Sequence, residues 1–364
     1  MRIGFDAKRA FNNHTGLGNY SRFVIEALLK YAPQNEYLAY TPKPPKTNSV
    51  GLQLAPKLPT ILIGSGIWRS WLINNDLQRD NLDIYHGLSN EIPFGIKKSG
   101  VKSVVTIHDL IFLRYPELYP FIDRVIYNKK FRYACENADV IVAVSQQTKD
   151  DIMEFYKIPA ERIKVIYQDC QSIFHQKADN QLIEGLKKKY SLNKPYIICV
   201  SSFSERKNQK RLVKAFQQLG LKDYELVLVG GKSKYAEEIL NNSSLGVGVK
   251  LLYGVPSSDL PALYQVAKLC VYPSFFEGFG IPIVEALHSG VPVVAATGSC
   301  LEEAGGEGAL YANPLDISDL AEKMQQILTN EPLRNDLILK GKEHIKQFSA
   351  ERIAEQLVEL YQEL

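Results

Sequence analysis

The chain has 364 residues, 45% hydrophobic and 23% charged, an ordinary globular composition that predicts two domains at roughly 150 residues each. Its formal net charge of +3 does not demand a nucleic-acid partner. Five cysteines, Cys135, Cys170, Cys199, Cys270 and Cys300, form no C-x-x-C pair, and several lie in apolar runs. That argues for buried free thiols in a reducing cytosol, and against a zinc site or a disulfide scaffold. The opening MRIGFDAKRA enters a strand-like pattern with no apolar leader, and no run approaches the length of a membrane span. A cytoplasmic protein is expected, with any membrane contact peripheral to the inner face.

Along the first half, strands are predicted at Arg2–Ala7, Ile84–His86, Ser103–Asp109, Val140–Ser145 and Lys164–Gln168, and helices at Leu17–Ala32, Asp123–Asn137 and Gln146–Phe155. Gly16-Leu17-Gly18 opens the first helix; a lone G-x-G reads by itself as a flexible turn. Thr41–Asn48 reads as a surface loop. His86 and His108 each end a strand, where a lone His is more often a structural hydrogen-bonder than a catalyst. Arg124–Tyr133 (RVIYNKKFRY) reads as a helix with an apolar core side and a solvated basic side, in preference to a membrane-surface face. Ser145 is placed as the N-cap of the helix that follows it. The polar stretch His175–Ser191 reads as the interdomain linker, with the boundary near residue 178.

In the second half, strands are predicted at Tyr196–Ser201, Glu225–Gly230, Lys250–Tyr253, Lys268–Tyr272 and Pro292–Ala296. Helices are predicted at Gln209–Leu219, Ser258–Val266, Pro282–His288 and through most of Ile317–Leu364. The alternation is that of doubly wound α/β domains. Arg206-Lys207-Asn208 follows a strand and precedes a helix, so two cations stand where a diphosphate could be neutralised; a solvated basic turn is the plainer reading. Arg211 is a weaker candidate. The most specific string is Pro273–Gly290, PSFFEGFGIPIVEALHSG. It sets Glu277 in a loop at the carboxyl end of a strand and Glu285 about one turn into the next helix, where open α/β sheets bind ligands. Gly278 and Gly280 free backbone N–H groups, and the helix start at Pro282 favours an anion. A carboxylate one turn in can accept two hydrogen bonds from a ribose diol.

That string resembles the Glu-x7-Glu motif of retaining nucleotide-sugar glycosyltransferases of family 4. The resemblance implies the GT-B fold: two Rossmann-like domains facing each other across a cleft that closes during the reaction. It implies an acceptor-side domain over 1–177, a donor domain over 178–348, and a final helix, 349–364, crossing back to the first domain. By resemblance Glu277 contacts the donor sugar and Glu285 the nucleotide ribose, and the backbone at Gly278, Phe279, Gly280 and Ile281 meets sugar and diphosphate. Lys207 matches the family Lys. The family Arg position holds Ser202 here, and Arg206 takes that place, as in the branch reading R-K-N. Gly18 matches the family's Gly-rich loop by the donor phosphates, and Val255 lies in the segment that holds the base. His108 matches the His that approaches the donor sugar. Asn19, Asp109 and His86 are placed on the acceptor side.

HGLSNEIPFG followed by VVTIHDLIFLRYPELYP is most similar to a mannosyltransferase-like branch acting in surface-polysaccharide assembly. The implied reaction transfers a hexose, mannose from GDP-mannose foremost, to a hydroxyl of a glycan or lipid-linked acceptor with retention of anomeric configuration. No covalent nucleophile is assigned. No D-x-D motif stands at the strand ends, so neither a metal nor a further cofactor is expected. Two rival readings are an enzyme of the same fold that epimerises a nucleotide sugar and a non-catalytic sugar-nucleotide binder.

Overall fold

Short runs rich in Val, Ile and Leu, buried on both faces, are what an all-parallel sheet requires, and the chain builds two such sheets. The structure is a computed structural model and describes residues 1–13, 15–45, 52–59, 64–241 and 248–364. The first sheet comprises β1 (Arg2–Asp6), β2 (Glu36–Tyr40), β3 (Pro56–Lys57), β4 (Ile84–Gly87), β5 (Lys102–Ile107), β6 (Val140–Ala143) and β7 (Ile163–Val165), in the order β3-β2-β1-β4-β5-β6-β7. The second comprises β8 (Tyr196–Val200), β9 (Glu225–Gly230), β10 (Val249–Tyr253), β11 (Leu269–Tyr272), β12 (Val293–Ala296) and β13 (Ala309–Ala312), in the order β10-β9-β8-β11-β12-β13. In each sheet the strand order reverses once. The switch points lie between β1 and β4 and between β8 and β11, and ligands of such sheets bind outside the carboxyl ends there.

The chain divides into two units. The first is Met1–Asp169 together with Phe348–Leu364, and the second is Cys170–Gln347. The division falls at 169/170 rather than at 177/178, and the stretch expected to be a linker is instead helical. Asp179 caps helix Asn180–Lys189, its side chain accepting from Leu182 N at 2.7 Å. This helix is largely exposed, with Leu186 buried, and its polar, lysine-rich composition is what made it read as a linker. In the first unit, the final helix, Ala350–Gln362, buries Ile353, Ala354, Leu357, Leu360 and Tyr361 and packs against helix Gly16–Tyr31.

Most predicted elements stand within a residue or two of their expected ends. Strands β2, β3 and β13 were not anticipated: β2 and β13 are short and mixed in composition, and β3 is two exposed residues at a sheet edge. The C-terminal helical stretch is three helices, Ile317–Thr329, Glu331–His344 and Ala350–Gln362. Asn330 and Ser349 interrupt it by capping the next helix with their side chains. Ser145 caps Gln146–Tyr156 as expected, accepting from Thr148 N at 3.0 Å. Of the loop expected at Thr41–Asn48, residues 46–48 lie outside the described residues.

Helix Phe121–Asn137 departs from expectation. Its first two turns turn their apolar side chains outward, leaving Phe121 70% and Ile122 71% exposed. The second half supplies the buried contacts, through Ala134 and Cys135. Lys130, expected on a solvated face, reaches Glu91 Oε2 at 3.1 Å.

Candidate active site

In the second unit, both loops that flank the switch point carry the predicted charges. Ser204–Asn208 follows β8 and Pro273–Gly280 follows β11, and hydrogen bonds lace the two together. Phe275 N donates to Arg206 O at 2.9 Å, and Arg206 Nη1 donates to Phe276 O at 2.6 Å. Asn208 takes the left-handed conformation at φ 62°, which Asn tolerates better than most residues. It ties the loop down by donating to Pro273 O at 3.1 Å and to Pro314 O at 2.8 Å.

Glu277 sits at the centre. Its Oε2 lies 2.6 Å from Arg206 Nη1, and its Oε1 accepts from Lys207 Nζ, Ser274 Oγ and, at 3.2 Å, Tyr272 OH. Lys207 is buried, donates to Tyr272 OH at 2.8 Å, and stands 5.2 Å from that ring's centroid. Burial pushes the Glu277 carboxyl up, but Lys207 and Arg206 outweigh it and hold the group at about 2. Burial lowers the Lys207 ammonium, and Glu277 opposes that fall. One anion shared by two cations leaves a net positive centre, suited to an incoming diphosphate.

Glu285 lies in helix Ile281–His288, one turn in. It does not join the charge cluster. Its contact is Tyr264 OH, which donates to Oε2 at 3.2 Å. Burial pushes its carboxyl up to about 8, and the Tyr264 hydrogen bond offsets only part of this. Between the two carboxylates the backbone is forced at Gly280, where φ is 127° and a Cβ would meet Leu301 Cδ2 at 2.9 Å and Ala304 Cβ at 3.1 Å. The need for glycine is met at Gly280; Gly278 is not among the residues with positive φ. Phe279 is buried, and Ile281 begins the helix. Val255 follows β10 beyond Gly254, itself at φ 63°. Arg211, in helix Gln209–Leu219, lies 3.2 Å from Asn208 Oδ1 and 5.3 Å from the Phe275 ring.

In the first unit, His108 follows β5 and is buried. Its main-chain N donates to Asn90 Oδ1 at 2.7 Å, Nε2 lies 3.0 Å from Leu88 O, and Tyr20 meets the ring edge-on at 4.6 Å. Burial lowers its pKa to about 4, so the ring is neutral at physiological pH. Asp109 Oδ1 accepts from Ile111 N at 3.1 Å and so turns the chain into the next helix. Gly18 is required sterically, since a Cβ there would come within 1.9 Å of Asn13 O. The Asn19 side chain accepts from Arg22.

His86 corrects its expected place. It is fully buried, with Nδ1 2.7 Å from Tyr361 OH and Nε2 2.8 Å from Thr106 Oγ1. Both ring nitrogens are engaged and burial lowers its pKa to about 3. It fastens the final helix to the sheet and is not placed to meet an acceptor.

Several residues of these centres were not singled out from the sequence. Ser274, Tyr272 and Tyr264 complete the shells of Glu277 and Glu285; the first two adjoin the motif, whereas Tyr264 comes from another helix. At the first unit's switch point a buried Arg69 donates to Asp6 and, at 2.7 Å, to Glu91, which also pairs with Lys130. Its members lie far apart in the chain, so no local pattern announces it. Among possible metal ligands of the second unit, Cys170, His175 and His288 bring donor atoms within 4.8 Å of one another. The two imidazoles are stacked, with centroids 4.0 Å apart and planes 18° apart. In this arrangement the two rings pack face to face, and their in-plane lone pairs do not converge on one point.

Two doubly wound parallel units, with ion-paired Glu277 and helix-borne Glu285 at one switch point, define a glycosyltransferase of GT-B fold. Residues 183–344 match the family described as Glycosyl transferases group 1, and residues 21–168 the one described as Glycosyltransferase Family 4. The chain is 31% identical over 291 residues to O-antigen chain mannosyltransferase B of Escherichia coli, spanning 78% of this chain and 75% of that protein. It is 30% identical over 216 residues to O-antigen chain mannosyltransferase RfbU of Salmonella typhimurium, spanning 58% and 57%. The structure of Anabaena Alr3699/HepE in complex with UDP aligns with a TM-score of 0.78 at 19% identity over the whole of both chains. The chain belongs to glycosyltransferase family 4.

Proposed function

We propose that this enzyme transfers mannose from GDP-mannose to a hydroxyl of a glycan or lipid-linked acceptor in surface-polysaccharide assembly, with retention of anomeric configuration and without a divalent metal. The observation that carries the donor assignment is Glu277 held between Arg206 and Lys207 at the β8/β11 switch point. Two cations fixed by a buried carboxylate are preorganised to stabilise a departing nucleoside diphosphate without moving at the moment of reaction. Glu277 stays ionised and accepts from the donor sugar's hydroxyls. Glu285 takes the ribose diol, and the backbone from Gly278 to Ile281 meets sugar and diphosphate. Gly18 and Val255 complete the donor contacts.

His108, neutral and fixed by Leu88 and Asn90, is assigned to a donor-sugar hydroxyl. Asn19 and Asp109 are assigned to the acceptor side. The mannose and polysaccharide assignments draw on the two O-antigen chain mannosyltransferases. The nucleotide class draws support from the UDP complex of the Anabaena protein. Five cysteines without a disulfide support a reducing, cytoplasmic setting.

A thermal-shift series with GDP, UDP, ADP and their mannose or glucose conjugates, run beside Glu285→Gln, tests the donor. A ligand that binds only the folded state raises the unfolding temperature with the logarithm of its concentration over Kd. Stabilisation by GDP and GDP-mannose that Glu285→Gln loses is expected. No shift from any nucleotide at millimolar concentration would remove the donor assignment. Transfer in EDTA and the anomeric proton signal of the product test metal independence and retention.

A further inference from the structure

We propose that the first two turns of helix Phe121–Asn137, with Leu118 in the turn before them, form a docking surface for an anionic lipid bilayer. Fifteen large hydrophobic side chains are exposed among the described residues, and six of them fall between Leu118 and Tyr127. Phe121, Ile122, Val125 and Ile126 recur at the i, i+1, i+4, i+5 spacing of one helical face, and Leu118 ends the short turn just before it. Their exposures run from 40% to 71%. Solvent gains nothing from such a stripe, and a contiguous apolar patch of this kind marks an interaction surface.

The inner side of the helix is already committed, so the stripe cannot be a core face lacking a neighbour by a small rotation. Phe131 meets Phe112 edge-on at 5.3 Å, Tyr133 OH accepts from Gly95 N at 2.6 Å, and Lys130 pairs with Glu91. Rotating the helix would break all three.

Charge selects the occupant. Further along the same outward face the apolar side chains give way to exposed Lys129 and Arg132. The turn Ile96–Ser99, which the Gly95–Tyr133 bond holds beside this half of the helix, adds exposed Lys97 and Lys98. An apolar wedge bordered by lysines and arginine matches the acyl boundary and anionic headgroups of a bilayer, with attraction of about 1 kcal/mol per basic residue near such a surface. No helix among the described residues is long and apolar enough to cross a membrane, so this contact is peripheral. It would hold the first unit at the surface where a lipid-linked acceptor resides, and it does not depend on the identity of the donor.

The test is co-sedimentation of the full chain with vesicles of phosphatidylcholine, with and without phosphatidylglycerol. The wild type is expected to pellet with the anionic vesicles and to be released by salt. A triple variant, Phe121→Ser, Ile122→Ser and Val125→Ser, is expected to lose roughly tenfold or more in partitioning. Lys97→Glu, Lys98→Glu and Lys129→Glu together should abolish the preference for phosphatidylglycerol. All these side chains are exposed, and an unchanged nucleotide-induced thermal shift in the variants shows that folding and the donor site survive. Wild type that stays in the supernatant with both vesicles overturns the proposal. So does a triple variant that pellets like wild type. A wild-type dimer by light scattering that the triple variant turns monomeric, with vesicle binding unaltered, would assign the stripe to a second copy instead.

Discussion

Glu277 and Glu285 stand in one short segment, yet the protein holds the first near 2 and the second near 8. Glu277 is buried and Glu285 half-buried, and burial is the largest influence on each. The difference lies in what replaces the water: two cations, a serine and a tyrosine around Glu277, and one tyrosine hydroxyl at Glu285. Burial alone raises a carboxyl, and only charge placed by a second loop reverses the sign. A pair that looks symmetric in sequence is thus a permanently ionised anchor and a group that is close to its titration point at neutral pH. The anchor suits a role that must be constant, such as fixing cations for a diphosphate. The other suits a group whose charge is compensated only when a ligand's hydroxyls arrive.

The sharpest way to break this contrast is Glu277→Gln. It leaves Arg206 and Lys207 facing each other without their anion, so a loss of roughly 3–5 kcal/mol in stability is expected, with transfer down by about a hundredfold or more. Denaturant titration and initial rates check both. If stability and turnover are unchanged, Glu277 does not anchor the two cations.

Acid titration reads the same contrast. Glu277 has a folded pKa below its ordinary 4.5, so the unfolded state binds more protons between about 2 and 4.5. Its contribution, about 3 kcal/mol, is present above that window and is lost as pH falls through it. Glu285 has the opposite sign. Its folded pKa exceeds 4.5, so the folded state binds more protons and its contribution falls as pH rises from about 4.5 to about 8. Glu285→Gln should therefore melt above wild type at pH 9 and close to it at pH 5. Equal melting at both values would mean Glu285 is not desolvated.

Gly280→Ala tests the turn that separates the two carboxylates. A side chain at φ 127°, pressed against Leu301 and Ala304, should cost about 1–3 kcal/mol by thermal unfolding. Smallest, Ser145→Ala removes the cap of a helix in the first unit, whereas both carboxylates belong to the second. It should cost about 1 kcal/mol and leave the nucleotide-induced shift untouched; a lost shift would join that helix to the site.

Much of this was legible in the linear chain. The strand-loop-helix around Pro273–Gly290 was read correctly because its apolar run, its glycines and its Pro near the helix start are local signals. The Arg206-Lys207 pair was legible for the same reason. Strand β2 was missed because its Glu-Tyr-Leu-Ala-Tyr sequence lacks the β-branched run of its neighbours, and β3 because two residues carry no period. The outward-facing start of helix Phe121–Asn137 was misread because periodicity identifies an apolar side but not whether anything covers it. His86 was misplaced because a strand-end histidine looks the same whether it faces solvent or, as here, the Tyr361 hydroxyl of a helix reached at the other end of the chain.

The sequence by itself determined the doubly wound α/β character of both halves, ten of the thirteen strands described, and the loop or helix on which each charged group would stand. These follow from local spacing and from backbone preferences that neighbours in the chain impose. Only the tertiary structure decided that Glu277 meets Arg206 and Lys207, that Glu285 meets only Tyr264 among the contacts described, and that His86 is core while His108 ends a strand beside Tyr20. Those outcomes depend on which distant loops the strand order brings together and on how much water is left between them. The charge state of a carboxyl or an imidazole is set by that environment and not by its neighbours in the chain.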